Sequence, residues 1–233
     1  MAIVYFKRFI RLIFGLFLYG LGCFLSVQAN VGLAPWDAFA MGVTNITGVT
    51  LGTSVILVGA AILVLDLFLK EKIGMGTVLN TILIGTFVNM IESWGLIPRL
   101  QSFLPGVLLL LLGQVSLCVG SYFYIGAGLG CGPRDALMVA LGKRLSRIPI
   151  GVVRGMLEGG VLLVGYLLGA KVGIGTVMAV FGIGFILEWT FRLLRFDVKA
   201  VRHESFLDTL RIWRRKGAAE NVSCEAKPKE EFD

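Results

Sequence analysis

The sequence predicts an all-α, polytopic membrane protein with about six transmembrane helices in two inverted three-helix repeats, each with an extra short half-helix. Hydrophobic residues make up 56% of the chain and charged residues only 16%, a balance too apolar for the surface of a soluble domain. Long apolar runs and an internal repeat are the other two observations behind this prediction. The short alternating segments that are typical of a β-barrel are not visible.

The repeat consists of two separate matches in the same order. "VGLAPWDA" at 31–38 reappears as "LGCGPRDA" at 129–136, and "KIGMGTV" at 72–78 reappears as "KVGIGTV" at 171–177. Nearly the same offset separates both matches, which indicates a duplication of most of the chain. In a chain this apolar, a two-fold repeat is typical of a transporter or channel whose site lies where the halves meet.

Long apolar segments divide evenly between the two repeats. The first repeat is expected over residues 1–100 and the second over 101–195. Several runs reach the roughly 20 residues that cross a hydrocarbon core. The six spans are predicted at about 9–27, 51–69, 76–93, 104–125, 150–168 and 175–193.

Two further segments, 35–46 and 133–145, are too short to cross a bilayer. Each begins with a proline, which the first turn of a helix tolerates best. Asp37 and Asp135 follow two residues later, where a carboxylate meets the positive end of the helix dipole. We expect two half-helices, either re-entrant or lying in the interface.

Basic residues flank the apolar segments, so the net charge of +7 points to anionic lipid heads rather than to nucleic acid. A cytoplasmic N-terminus with six spans places Lys70, Lys72 and residues 134–147 inside, and leaves only Arg99 and Lys171 outside. Three spans per repeat is an odd number, so the two halves are expected in opposite orientations. Both termini are then cytoplasmic.

The chain changes character after the last predicted span. Residues 196–216 place apolar side chains on one helical face with basic residues around the rest, which predicts an amphipathic helix on the inner leaflet. Residues 217–233 are polar and acidic and are expected to be disordered.

Glycines stand immediately ahead of both half-helices. Exposed backbone N–H groups at Gly32, Gly130 and Gly132 predict a backbone anion site. The alternative is that proline and aspartate simply start and cap a short helix, and both interpretations can hold together. Arg134, which takes the place of Trp36 in the second copy, would suit an anionic group or a partner carboxylate.

Ionisable residues inside spans are costly and by default face the protein interior or a water path. Arg154 and Glu158 stand four residues apart on one helical face, where they could also form a purely structural ion pair. Glu188 has Asn89 as its counterpart in the first repeat. The predicted substrate-binding residues are Asp37, Arg134, Asp135, Arg154, Glu158, Asn89 and Glu188.

The leading hypothesis is a small secondary transporter or permease with its substrate between the repeats. The alternative is a non-transporting scaffold or regulatory partner that works through its basic tail.

An enzyme is not expected, because the single histidine, His203, lies in the tail and no nucleophile–base pair stands out. The four cysteines lack metal-ligand spacing, so neither a metal nor another cofactor is predicted. The expected partners are the lipid bilayer and a small molecule or ion, with a homodimer left open and no nucleic acid.

The order of a span, a "GLAPWDA" turn, two spans and a degenerate second copy resembles the YczE/YyaS/YitT group of bacterial membrane proteins, over roughly residues 9–195. The chain looks most like the YczE-type members, because the soluble C-terminal domain of the YitT-type proteins is not expected here. The resemblance implies a multi-pass protein of the bacterial plasma membrane. It supplies no established binding residues.

Overall fold

The computed structural model describes residues 2–71 and 73–196, and every regular element in them is an α-helix. The helices are α1 (Ala2–Gln28), α2 (Pro35–Thr47), α3 (Leu51–Phe68), α4 (Met75–Ser93), α5 (Phe103–Gly126), α6 (Pro133–Arg144), α7 (Ile150–Leu167) and α8 (Ile174–Leu193). The predicted interfacial helix at 196–216 and acidic tail at 217–233 lie, apart from residue 196, outside the described part of the chain.

Five of the described helices, α1, α3, α4, α5 and α8, are long and apolar enough to cross a membrane. Large apolar side chains such as Phe68, Leu104, Phe185 and Trp189 are exposed on the outside of the bundle, where lipid would cover them. The prediction of an all-α polytopic membrane protein is therefore confirmed. α7 has 18 residues, and the count of six spans stays a prediction.

The two half-helices begin and end for local reasons. Both α2 and α6 start with proline, whose missing N–H costs nothing in the first turn. α2 ends at Thr47 because Gly48 adopts a left-handed conformation and donates its N–H to the Thr44 carbonyl oxygen. With 13 and 12 residues, neither helix is long enough to cross the hydrocarbon core.

Helices α1 and α5, which are equivalent in the two repeats, pack through glycines. A Cβ atom at Gly15 would lie 2.8 Å from the Gly120 carbonyl oxygen, and one at Gly22 would lie 2.5 Å from that of Gly113. Residue numbers rise along α1 as they fall along α5, so the helices run antiparallel. Gly15 and Gly113 are equivalent positions, as are Gly22 and Gly120, so the two contacts are related by a two-fold axis between the repeats.

The repeated motifs contact each other crosswise. The Gly175 N–H donates to the Val31 carbonyl oxygen at 2.9 Å, and in the equivalent bond the Gly76 N–H donates to that of Leu129 at 2.8 Å. The turn of each repeat thus packs against the start of the last helix of the other repeat. The two repeated stretches therefore make the same kind of contact in both halves of the bundle.

Most of the helix packing follows the same axis. The pairs α1/α4 and α5/α8 are equivalent and both pack, as do α3/α6 and α7/α2. Helix α3 also packs closely on α4. The equivalent α7 and α8 do not pack closely against each other along their described lengths.

Candidate functional site

A cavity of about 140 Å³ lies between the starts of the two half-helices. Its walls come from all eight helices. Residues 34–37 at the start of α2 and 132–135 at the start of α6 both line it. The half-helices therefore lead into the interior of the bundle, as broken helices at membrane depth usually do.

Equivalent residues of the two repeats line the cavity from opposite sides. Besides the half-helix starts, the equivalent pairs in its wall are Tyr19 and Leu117, Val55 and Arg154, Gly59 and Glu158, Asn80 and Ala179, Thr81 and Val180, and Ile84 and Ile183. The cavity thus lies on the two-fold axis that relates the repeats. Its frame is symmetric, whereas its charges are not.

The half-helix starts meet at this axis. The Arg134 guanidinium carbon lies 5.1 Å from the centre of the Trp36 ring, so these equivalent positions contact each other as a cation–π pair. Neither helix start has a side-chain cap. Asp37 and Asp135 lie in the first turns, where their carboxylates face the positive ends of the two helix dipoles.

The two aspartates differ in their surroundings. Asp37 is buried, close to the Cys23 thiol and to the Arg134 charge. Asp135 is exposed and accepts a hydrogen bond from the Tyr124 hydroxyl at 3.0 Å. Among the residues that the structure describes, neither carboxylate forms an ion pair. Neither carboxylate is therefore directly bonded to a cation among those residues.

Arg154 and Glu158 form the ion pair that their spacing allows. The Arg154 Nε donates to Glu158 Oε1 at 2.8 Å on the cavity face of α7. The first repeat has Val55 and Gly59 at these positions, so this pair belongs to the second repeat alone. In total, three carboxylates and two guanidiniums line the cavity, an excess of one negative charge when all are ionised.

Five of the seven predicted substrate-binding residues line this one cavity: Asp37, Arg134, Asp135, Arg154 and Glu158. The other two lie outside it. Asn89 accepts a hydrogen bond from the Gly52 N–H at 3.0 Å, and Glu188 pairs with Arg192 at 3.0 Å.

Of the three glycines in the predicted backbone anion site, one lines the cavity and two do not. Gly132 lines the cavity. Gly32 and Gly130 do not, because they pack against Thr176 and Thr77 at the starts of α8 and α4. Their place in the structure is a close backbone contact.

The sequence interpretation missed three polar groups in the wall, the hydroxyls of Tyr19 and Tyr124 and the side chain of Asn80. Their signal in the sequence is a polar tip inside an apolar span, which usually requires an internal partner. Tyr124 has such a partner in Asp135. Within residues 2–71 and 73–196, no group of three His, Cys, Asp or Glu side chains could hold a metal ion.

Comparison with known proteins shows the family. A family of proteins of unknown function, DUF6198, matches residues 6–192, which is most of the chain. The chain belongs to the DUF6198 family. No solved structure matches it.

Three relatives extend this membership. An uncharacterised protein of Haemophilus influenzae is 34% identical over 189 residues, which cover 81% of this chain and 85% of the relative. The uncharacterised membrane protein YczE of Bacillus subtilis is 30% identical, with 76% of this chain and 81% of the relative covered. The uncharacterised protein YyaS of the same organism is 24% identical, with coverages of 75% and 87%. The predicted resemblance to YczE and YyaS is confirmed, and this DUF6198 protein is a membrane protein.

Proposed function

We propose that this DUF6198 protein is a small secondary transporter whose substrate binds in the cavity on the two-fold axis. One observation carries the proposal: the two half-helix starts and five charged side chains meet in a single cavity lined by equivalent residues of both repeats. Broken helices that meet near the middle of a repeat pair are typical of secondary transporters. A purely structural core would not need an open volume surrounded by charged groups.

We further propose that the substrate is a small polar solute with a positive charge. Asp37 and Asp135 already occupy the positive ends of the half-helices, so those ends do not call for an external anion. Arg154 is paired with Glu158 and Arg134 stacks on Trp36, so both guanidiniums are engaged. When all five groups are ionised, the excess negative charge favours a cation, and the aromatic rings of Tyr19 and Tyr124 lie in the same wall.

The location that fits this function is the bacterial plasma membrane with both termini in the cytoplasm. Lys7, Arg8 and Arg11 at the start of α1 support this orientation through the positive-inside rule. The bacterial relatives support the choice of membrane.

A binding screen tests the proposal. The purified protein in detergent is heated with single amines, guanidines, amino acids and carboxylates, and stabilisation of the folded state reports binding. We expect cationic solutes to raise the apparent melting temperature and simple carboxylates to leave it unchanged. Glu158→Gln and Asp135→Asn should each weaken that binding about 10-fold, which corresponds to the loss of about 1.4 kcal/mol.

Glu92→Gln is the matched control, because Glu92 is exposed near the end of α4 and outside the cavity. It should bind the same solutes as the unaltered protein. Stabilisation by carboxylates but not by amines would contradict the proposed substrate class.

A further inference from the structure

The last two long helices of the first repeat are closed against each other. A Cβ atom at Gly52 of α3 would collide with the carbonyl oxygen of Gly85 of α4, and one at Gly85 would collide with that of Gly52. Asn89 of α4 accepts a hydrogen bond from the Gly52 N–H at 3.0 Å and donates one to the Thr53 hydroxyl at 3.3 Å. Small residues and one polar side chain thus join the start of α3 to α4.

The equivalent helices of the second repeat have glycines at the same positions, but these glycines make no close contact between the helices. Gly151 of α7 and Gly184 of α8 correspond to Gly52 and Gly85, and a Cβ atom at either would meet nothing within 4 Å. Gly155, which replaces Ile56, is equally open. The two helices stand apart on one side of the cavity that both of them line.

A polar side chain is also available for the missing contact. The start of α7 has no side-chain cap, in contrast to that of α3, where the Thr50 hydroxyl accepts from the Thr53 N–H. Glu188 corresponds to Asn89, yet its side chain is 67% exposed and bonds to Arg192 on its own helix. A carboxylate at an uncapped helix start is favourable, because it accepts free N–H groups and meets the positive end of the dipole.

We propose that α7 and α8 form the gate of the cavity, and that the gate closes when Gly151 packs against Gly184 and Glu188 accepts the Gly151 N–H. The closed pair then has the arrangement that α3 and α4 have in this structure. The assignment of this movement as the gate of a transport site rests on the proposed function. The structure then represents the state in which the first-repeat pair is closed and the second-repeat pair is open.

The charged pair on α7 gives closure a link to the substrate. At the position equivalent to Glu158, a Cβ atom on Gly59 would lie 3.1 Å from Thr81 Cγ2. When α7 packs against α8 in the same way, no space remains between the two helices for the Glu158 side chain. This side chain must then extend into the cavity. A cation bound there would offset its charge, so substrate and closure favour each other.

Disulfide formation tests the closure without any knowledge of the substrate. In the first repeat, a Cβ atom at Gly52 would lie 2.6 Å from the Cγ atom of Asn89. The double variant Gly151→Cys/Glu188→Cys therefore places two thiols within bonding reach only in the closed state. Membranes that contain it are treated with copper phenanthroline, and mass spectrometry identifies the linked peptides.

The matched control is Gly160→Cys/Glu188→Cys. Gly160 is also open, but its first-repeat equivalent, Ala61, is exposed and faces away from α4. We expect a bond within one chain for the first pair, formed several-fold faster than any bond in the control. Equal rates for the two pairs, or a bond only between two copies of the chain, would overturn the proposal.

A bulky residue at the proposed contact between α7 and α8 gives a second measurement. Gly184→Leu, added to the Gly151→Cys/Glu188→Cys variant, fits the open state and should leave the melting temperature unchanged. It should abolish the disulfide, whereas Gly160→Leu should not; a bond that survives Gly184→Leu would contradict closure at this seam. Disulfide formation needs no substrate. A chain that forms the disulfide but binds no solute would therefore contradict the proposed function, whereas the closure of α7 on α8 would still be supported.

Discussion

Gly32 and Gly130 hold the two repeated turns in a backbone conformation that a side chain would oppose. Their φ angles are +132° and +133°. A Cβ atom at Gly32 would also lie 2.7 Å from the Thr176 amide nitrogen, and one at Gly130 would lie 2.8 Å from the Thr77 hydroxyl oxygen. Backbone strain and a close contact therefore both favour glycine at these positions.

Replacement of either glycine should destabilise the fold. We expect Gly32→Ala and Gly130→Ala each to cost about 2 kcal/mol, and thermal unfolding in detergent measures the loss. Gly95→Ala is the control, because Gly95 has a φ of +64° and open space around it. If Gly130→Ala and Gly95→Ala were equally stable, the contact with the start of α4 would contribute nothing.

The charged side chains of the cavity wall were singled out from the sequence, and its two tyrosines were overlooked. Arg154 and Glu158 stand out because a charge in an apolar span needs an interior position. Tyr19 and Tyr124 do not stand out, because aromatic residues also fill ordinary cores, and only packing shows where a hydroxyl points. Asn89 lies nine residues after Asn80, which lines the cavity. Nine residues are about two and a half turns of a helix, so Asn89 faces the opposite side of α4.

At the scale of the helices, the antiparallel contact of α1 and α5 is the centre of the bundle. Glycines at intervals of seven residues, 15 and 22 on α1 and 106, 113 and 120 on α5, let the two backbones approach closely. The sequence did not predict this seam, because 31 glycines produce many such spacings and only a partner helix distinguishes the useful ones.

Larger side chains in the seam should separate the repeats. Gly22→Val and Gly113→Val should each cost about 2 to 3 kcal/mol, because a Cβ atom there collides with backbone that cannot move aside. Thermal unfolding and the yield of monodisperse protein after extraction measure the effect. Gly160→Val, at an open position on α7, should behave like the unaltered protein; a similar loss there would point to a general intolerance of valine in these helices.

The helices themselves were largely predictable. The half-helices were predicted at 35–46 and 133–145 and are observed at Pro35–Thr47 and Pro133–Arg144, since proline marks their starts clearly. Helix α1 begins at Ala2 rather than near Phe9, because the basic residues of its first turns do not interrupt a helix. Which helices pack was not predictable, because the repeat indicates equivalence and not contact.

At the scale of the whole molecule, the described loops group into two ends. Asn30, after α1, donates to the Leu100 carbonyl oxygen and accepts from Lys171, so these loops lie at one end together with Arg99. Arg11, near the start of α1, packs against Gly126 at the end of α5 and marks the opposite end. The two positions predicted to be outside, Arg99 and Lys171, thus lie together.

Two departures from the two-fold axis in the described residues concern the cavity. The charges of the cavity come mainly from the second repeat, and α7 stands apart from α8 while α3 is closed on α4. In a transporter built from inverted repeats, one repeat rocks or gates against the other around a fixed site. The observed asymmetry is therefore the kind that one state of such a cycle would display.

Solute uptake tests the central claim, transport through the cavity on the axis, most directly. Vesicles that contain the purified protein are incubated with a mixture of amines, guanidines and amino acids, and mass spectrometry identifies what enters. We predict that at least one cationic solute enters vesicles with the unaltered protein or with Glu92→Gln, and that Glu158→Gln reduces its entry several-fold. Uptake that is identical in all three kinds of vesicle and in protein-free vesicles would contradict the account.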